Sequence, residues 1–129
     1  MPTQRRVTTG ASLASSSVTG VVGYTSANKT GESFSGSISV SGTITATGDI
    51  TAFSDKALKS DIRTISGAMD LVAGMRGVTF TWIDTWLRGV GMLAQELAVV
   101  IPEAVQANDG GLLSIAYGNL VGVLIEAIK

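Results

Sequence analysis

Residues 35–53 read Ser35-Gly36-Ser37-Ile38-Ser39-Val40-Ser41-Gly42-Thr43-Ile44-Thr45-Ala46-Thr47-Gly48-Asp49-Ile50-Thr51-Ala52-Phe53. Glycine recurs at Gly36, Gly42 and Gly48, and isoleucine at Ile38, Ile44 and Ile50. Even positions are apolar or glycine, and odd positions from Ser37 to Thr51 are Ser, Thr or Asp. This period of two is the pattern of a strand with one buried face. The glycines lie on that face every sixth residue, where a missing side chain admits another backbone or permits a bend. A lone strand of this kind leaves its backbone groups unpaired, and a short repeat needs neighbours to stack on. Identical chains wound about one axis meet that need, with Ile38, Val40, Ile44, Ala46 and Ile50 as the shared core. The expectation is an intertwined, homotrimeric β-shaft over residues 35–53. The competing reading is a Ser/Thr-rich linker.

On the N-terminal side, residues 1–34 show no sustained period. Residues 1–53 together are about half Gly, Ser and Thr, with charges only at Arg5, Arg6, Lys29, Glu32 and Asp49. Composition reads residues 1–34 as a linker or as an irregular attachment segment that orders against a partner.

On the C-terminal side the chain changes character at Ser54-Asp55-Lys56-Ala57-Leu58-Lys59. Residues 54–129 read as a small α+β domain. Ile62, Ile65, Met69 and Val72 suggest one helical stripe, stopped by Gly74 or Gly77. Residues 77–83 alternate like a strand with Val78, Phe80 and Trp82 on one face, and residues 89–93 suggest a second strand. Ala94–Val100 reads as a short helix ended before Pro102. Residues 104–107 and 112–115 flank Asn108-Asp109-Gly110-Gly111, a hairpin turn. Tyr117, Leu120, Leu124 and Ile128 form the stripe of a last helix, with Ser114 as its expected N-cap. That helix is apolar nearly all round, which suggests burial against other subunits. So small a piece has a marginal core of its own.

Composition narrows the chemistry. Among 129 residues there is no cysteine and no histidine. Disulfides, thiolate or imidazole metal sites and a Ser-His-Asp triad are therefore excluded. A general base must be a lysine, a carboxylate, a tyrosine or the N-terminus. The net charge is −1, charged residues are 15% of the chain, and Arg5-Arg6 is the one adjacent basic pair. Nucleic-acid binding, which needs a basic face, is not expected. No run of about eighteen apolar residues is present, so membrane insertion is not expected, and no apolar core follows Arg5-Arg6 to make a secretory signal. The carboxylates are scattered, which supports neither a glycosidase pair nor a metal cluster. No cofactor is expected. Gln95 and Glu96 read as groups that satisfy backbone or an intersubunit contact, with catalytic support as the alternative. Asp84 with Trp82 and Trp86 reads as a packed turn.

From spacing alone, Ser54-Asp55 reads as the cap of a turn and Lys56 and Lys59 as solvated, because Ser-x4-Lys is common by chance. Other motifs change that. The stretch Ser54-Asp55-Lys56-Ala57-Leu58-Lys59-Ser60-Asp61-Ile62 resembles the start of the C-terminal intramolecular chaperone domain of bacteriophage tail spikes and tail fibres, the self-cleaving endosialidase type. Phe80-Thr81-Trp82 resembles that family's aromatic strand. Gly91-Met92-Leu93-Ala94-Gln95-Glu96 with Pro102-Glu103-Ala104-Val105 resembles its central signature. Tyr117-Gly118-Asn119-Leu120-Val121 with Glu126-Ala127-Ile128-Lys129 resembles its closing helix. The resemblance covers residues 54–129.

It implies a homotrimeric virion protein, assembled in the host cytoplasm, whose end domain aligns the shaft chains and then cuts itself off. Ser54 would be the nucleophile, Lys59 its dyad partner and Phe53–Ser54 the scissile bond. Asp55 would orient Lys59 or offer a backbone N–H to the oxyanion. Serine needs a base, free lysine is protonated at neutral pH with a pKa of about 10.4, and burial lowers such a value. Cleavage would thus wait for the trimer to close. Residues 1–34 would contact other tail or capsid proteins. Two departures are expected to matter: the last helix does not continue into a coiled coil before Lys129, and the shaft is short. Two alternatives stand beside this reading, a non-cleaving trimerising cap and a module that binds a host surface.

Overall fold

The computed structural model describes residues 31 and 33–129; the expected attachment segment therefore lies almost wholly outside the described residues. The chain divides into two units, with the break between Ala52 and Phe53.

In the first unit, the alternating stretch forms no strand in the single chain. Bends fall at Ser35-Gly36, Ser41-Gly42 and Thr47-Gly48, with no regular secondary structure between them. Each bend sits at a glycine of the six-residue repeat, the position where the backbone is least restricted. The repeat therefore sets a bend period of six on top of the side-chain period of two. No β-ladder is formed within residues 33–53, and Ile38, Val40, Ile44 and Ile50 are all exposed in the single chain.

The second unit is a small α+β domain. Its elements are α1 (Ala68–Ala73), β1 (Val78–Thr81), β2 (Arg88–Gly91), α2 (Ala94–Val100), β3 (Val105–Ala107), β4 (Leu113–Ile115) and α3 (Val121–Ile128). Single 3-10 turns cover Lys56–Leu58, Pro102–Ala104 and Tyr117–Leu120. The four strands make two separate antiparallel hairpins, β1–β2 and β3–β4. β1 pairs Val78 with Gly91 and Thr81 with Arg88, and β3 pairs Val105 with Ile115.

Glycines mark several of the boundaries. Gly67 enters α1 at φ 64°, and Gly74 ends it by donating its N–H to Asp70 and Leu71 carbonyls. The helix expected to begin near Ile62 is thus confined to residues 68–73. Asp61 at φ 53° and Gly67 break the helical path on either side of Ile62 and Ile65. α2 matches its expected span and stops where Pro102 opens the next turn. In the β3–β4 turn, Asn108 Oδ1 accepts from Leu112 N–H at 2.9 Å and Gly111 takes φ 80°. Ser114 does not cap the last helix. It lies in β4, where its hydroxyl donates to the Gln106 carbonyl at 3.3 Å. The chain instead enters α3 through the 3-10 turn Tyr117–Leu120.

The core is small. Leu97 of α2 and Ala104, each 1% exposed, meet Leu120, with Met75, Met92, Ile101, Val105 and Ile115 packed around them. On α3 the buried residue is Val123, while Leu124 and Ile128 of the expected stripe face outward. The stripe is rotated because Leu120 belongs to the 3-10 turn, which advances its side chain differently from an α-turn. α3 packs mainly against α1. Among the described residues no helix is long and apolar enough to cross a membrane.

Candidate functional site at Ser54 and Lys59

Two residues five apart in sequence meet at the start of the second unit. Lys59 Nζ donates to Ser54 Oγ at 2.6 Å and to the Ser54 carbonyl oxygen at 3.1 Å. An extended path of five residues would span roughly 17 Å, so the chain must fold back between them. It does so through the 3-10 turn Lys56–Leu58. Leu58 N–H donates to the Asp55 carbonyl at 3.1 Å, and Lys59 N–H to the Lys56 carbonyl at 3.0 Å. Asp55 is the N-cap of this turn, its Oδ1 accepting from Ala57 N–H at 2.8 Å. The aspartate carboxylate is therefore turned toward the backbone, while the Lys59 amine is turned toward Ser54.

The arrangement has the reach that proton transfer requires, since a base must lie within about 2.6–3.2 Å of the hydroxyl it serves. It is also open to water: Phe53, Ser54, Asp55 and Lys59 are all exposed in the single chain, Phe53 at 95%. The Phe53–Ser54 peptide is correspondingly accessible. The shaft residues Ile38, Val40, Ile44, Ala46 and Ile50 belong to the other unit.

Two further clusters shape the domain. In the first, aromatic rings lie over the glycines of β2. Phe80 and Trp82 stack edge to face with centroids 5.0 Å apart. A Cβ at Gly89 would stand 2.5 Å from the Phe80 ring, and one at Gly91 would stand 2.6 Å from the Tyr117 hydroxyl. Both glycines are thus needed for close approach. Tyr117 Oη accepts from Met92 N–H at 3.0 Å, tying the entry of α3 to the end of β2. Phe80, Trp82, Val90, Met92, Gln95 and Tyr117 line part of an apolar groove of about 650 Å³. Gln95 thus lines this groove rather than meeting Ser54 or Lys59.

The second cluster is the Arg76–Glu96 pair, which the sequence reading missed. Arg76 Nε donates to Glu96 Oε2 at 3.1 Å, and Arg76 Nη2 donates to Oε1. The Arg76 hydrogen bond is the main cause holding the Glu96 carboxyl below its ordinary range, with partial desolvation working the other way. The pair joins the segment after α1 to the first turn of α2, twenty residues on. No short-range spacing announces such a contact. Near the β1–β2 connection, Trp86 N–H donates to the Trp82 carbonyl at 2.8 Å and Trp86 takes φ 59°. The expected turn is there, yet the Trp86 ring is 79% exposed rather than packed.

Residues 54–106 match the family model described as chaperone of endosialidase. The match begins at Ser54 itself and runs through the signature around Gln95, Glu96 and Pro102 to β3. The closing motif from Tyr117 onward lies beyond the matched span. No curated protein matches the chain.

Proposed function

We propose, from the premise that residues 54–106 belong to the endosialidase-chaperone family, that the chain is a phage virion fibre protein of the tail-fibre or tail-spike type. Its C-terminal domain brings three copies together, sets the 35–53 repeats in register, and then separates itself by cleavage between Phe53 and Ser54. The observation that carries this reading is the 2.6 Å contact between Lys59 Nζ and Ser54 Oγ at the first residues of the family match.

The chemistry follows from that contact. Lys59 as a neutral amine takes the proton of Ser54 Oγ, and Oγ attacks the carbonyl carbon of Phe53. The Phe53–Ser54 C–N bond breaks as Lys59 returns the proton to the Ser54 nitrogen. The product is an ester between Phe53 and Ser54 Oγ, with a free Ser54 amine. Water then hydrolyses the ester, which leaves the Phe53 carboxylate and restores the Ser54 hydroxyl. A neutral amine is favoured in an apolar, water-poor site. In the single chain Lys59 is exposed, so its burial falls to neighbouring copies, and cleavage is tied to assembly.

Support for the trimer comes from the repeat. It presents exposed isoleucines at a fixed spacing of six with glycines at the same spacing. Through residues 1–34 the chain attaches to other virion components.

A second reading keeps the same trimer but no cleavage, with the end domain retained as a structural tip. The exposure of Lys59 favours it. Intact mass of the purified chain after prolonged folding separates the two. Cleavage gives a fragment with Ser54 at its N-terminus, lost in Ser54→Ala and Lys59→Ala. An uncut 129-residue chain sinks the self-cleavage reading and leaves the retained cap.

A further inference from the structure

The fold-back that joins Ser54 to Lys59 is held by hydrogen bonds, and Asp55 supplies the one that comes from a side chain within the turn. The 3-10 turn Lys56–Leu58 contains no buried residue, so packing does not hold it. Two backbone hydrogen bonds close it, Leu58 to Asp55 and Lys59 to Lys56. A single turn of this kind is costly to nucleate, because several dihedrals are fixed for few bonds. The Asp55 side chain adds a third bond at the position where caps act, accepting from the second N–H of the turn, that of Ala57, at 2.8 Å.

We propose that Asp55 is a positioning residue: by capping the turn Lys56–Leu58 it sets the reach from Lys59 Nζ to Ser54 Oγ, and it does so through the backbone rather than by its charge on the lysine. This rests on the dyad reading above, in which that reach is what the chemistry uses. The Lys59 amine places its two hydrogen bonds on Ser54, whereas the Asp55 carboxylate places its own on Ala57. A charge-based role requires a carboxylate at residue 55. A capping role requires only a short side chain with an acceptor oxygen, and Asn and Ser cap about as well as Asp whereas Ala does not.

The test compares Asp55→Asn, Asp55→Ser and Asp55→Ala in the full chain by two readouts. In the first, the rate of appearance of the Ser54 N-terminus stays within about twofold of the parent for Asn and Ser and falls about fivefold for Ala, the population change expected of a lost cap. In the second, the side-chain amine resonance of Lys59, followed by NMR, keeps its parent position in Asn and Ser and moves toward that of a free lysine in Ala. The domain melting temperature stays at the parent value in all three, because the turn is exposed. Loss of both readouts in Asn as well as Ala overturns the proposal in favour of a charge role. Parent-like values of both in Ala overturn it outright. If the parent chain does not cut, the cleavage reading falls by itself, and the Lys59 resonance still decides whether Asp55 holds the turn.

Discussion

Glycine serves two different ends in the two units of this chain. In the domain, Gly89 and Gly91 have an internal reason: the Phe80 ring and the Tyr117 hydroxyl occupy the space a Cβ would need. In the repeat, a Cβ at Gly36, Gly42 or Gly48 would meet nothing within 4 Å among the described residues, and none of the three has a positive φ. Within one chain, crowding does not demand glycine there, and the bends at these positions need no left-handed backbone. In the trimer proposed above, the close approach of other copies would add a second reason to the bends. The isoleucines make the same contrast with Leu97. Leu97 is buried by its own chain, whereas Ile38, Ile44 and Ile50 are left open by theirs.

The largest effect expected is on the domain side. Leu97→Ala removes the best-buried side chain of a small core and costs about 2–5 kcal/mol, enough to unfold most of a marginal domain at working temperature. Chemical denaturation of the chain reads this directly. Next comes Gly89→Ala, which overpacks against a ring and costs about 1–3 kcal/mol. Its counterpart Gly42→Ala leaves the domain's denaturation midpoint unchanged and lowers oligomer stability instead. Equal loss of domain stability in the two variants would erase the distinction between the units. Tyr117→Phe comes third. It leaves Met92 N–H without its acceptor and costs about 1 kcal/mol, seen as a lower melting temperature with unchanged oligomer mass.

The smallest effect concerns Arg76 and Glu96. The Glu96 carboxyl is held below its ordinary range in the folded chain. Its contribution is therefore fully present above the unfolded Glu value of about 4.3 and is lost as pH falls through the lower folded value. Glu96→Gln should flatten the decline of melting temperature on the acid side and leave the oligomer untouched. The pair is well exposed, so the change is small.

How much of this was legible in sequence depended on how local its cause is. α2 and the β3–β4 turn were readable because Pro102 and Asn108-Asp109-Gly110-Gly111 act on their own neighbours. The start of α1 was misread because the apolar stripe continues back through Ile65 and Ile62 while Gly67 and Asp61 redirect the backbone. The Ser114 cap was misread because a serine in a strand and a serine before a helix look alike until the strand's partner is known. The hexad was legible as a spacing, and the bend that its glycines permit was one of two readings, which the backbone at Gly36, Gly42 and Gly48 takes up. At the candidate site, Ser54 and Lys59 stood out only beside the motifs around Gln95 and Pro102. For Asp55 the sequence left a cap and a charge partner side by side, and the bond from Ala57 N–H to its carboxylate favours the cap.

Native mass spectrometry of the uncleavable Ser54→Ala chain at micromolar concentration tests most directly the claim that the repeat finds its partners in other copies. The expected species is three times the 13.2 kDa chain mass. A single 13.2 kDa species at every concentration tried would contradict the account.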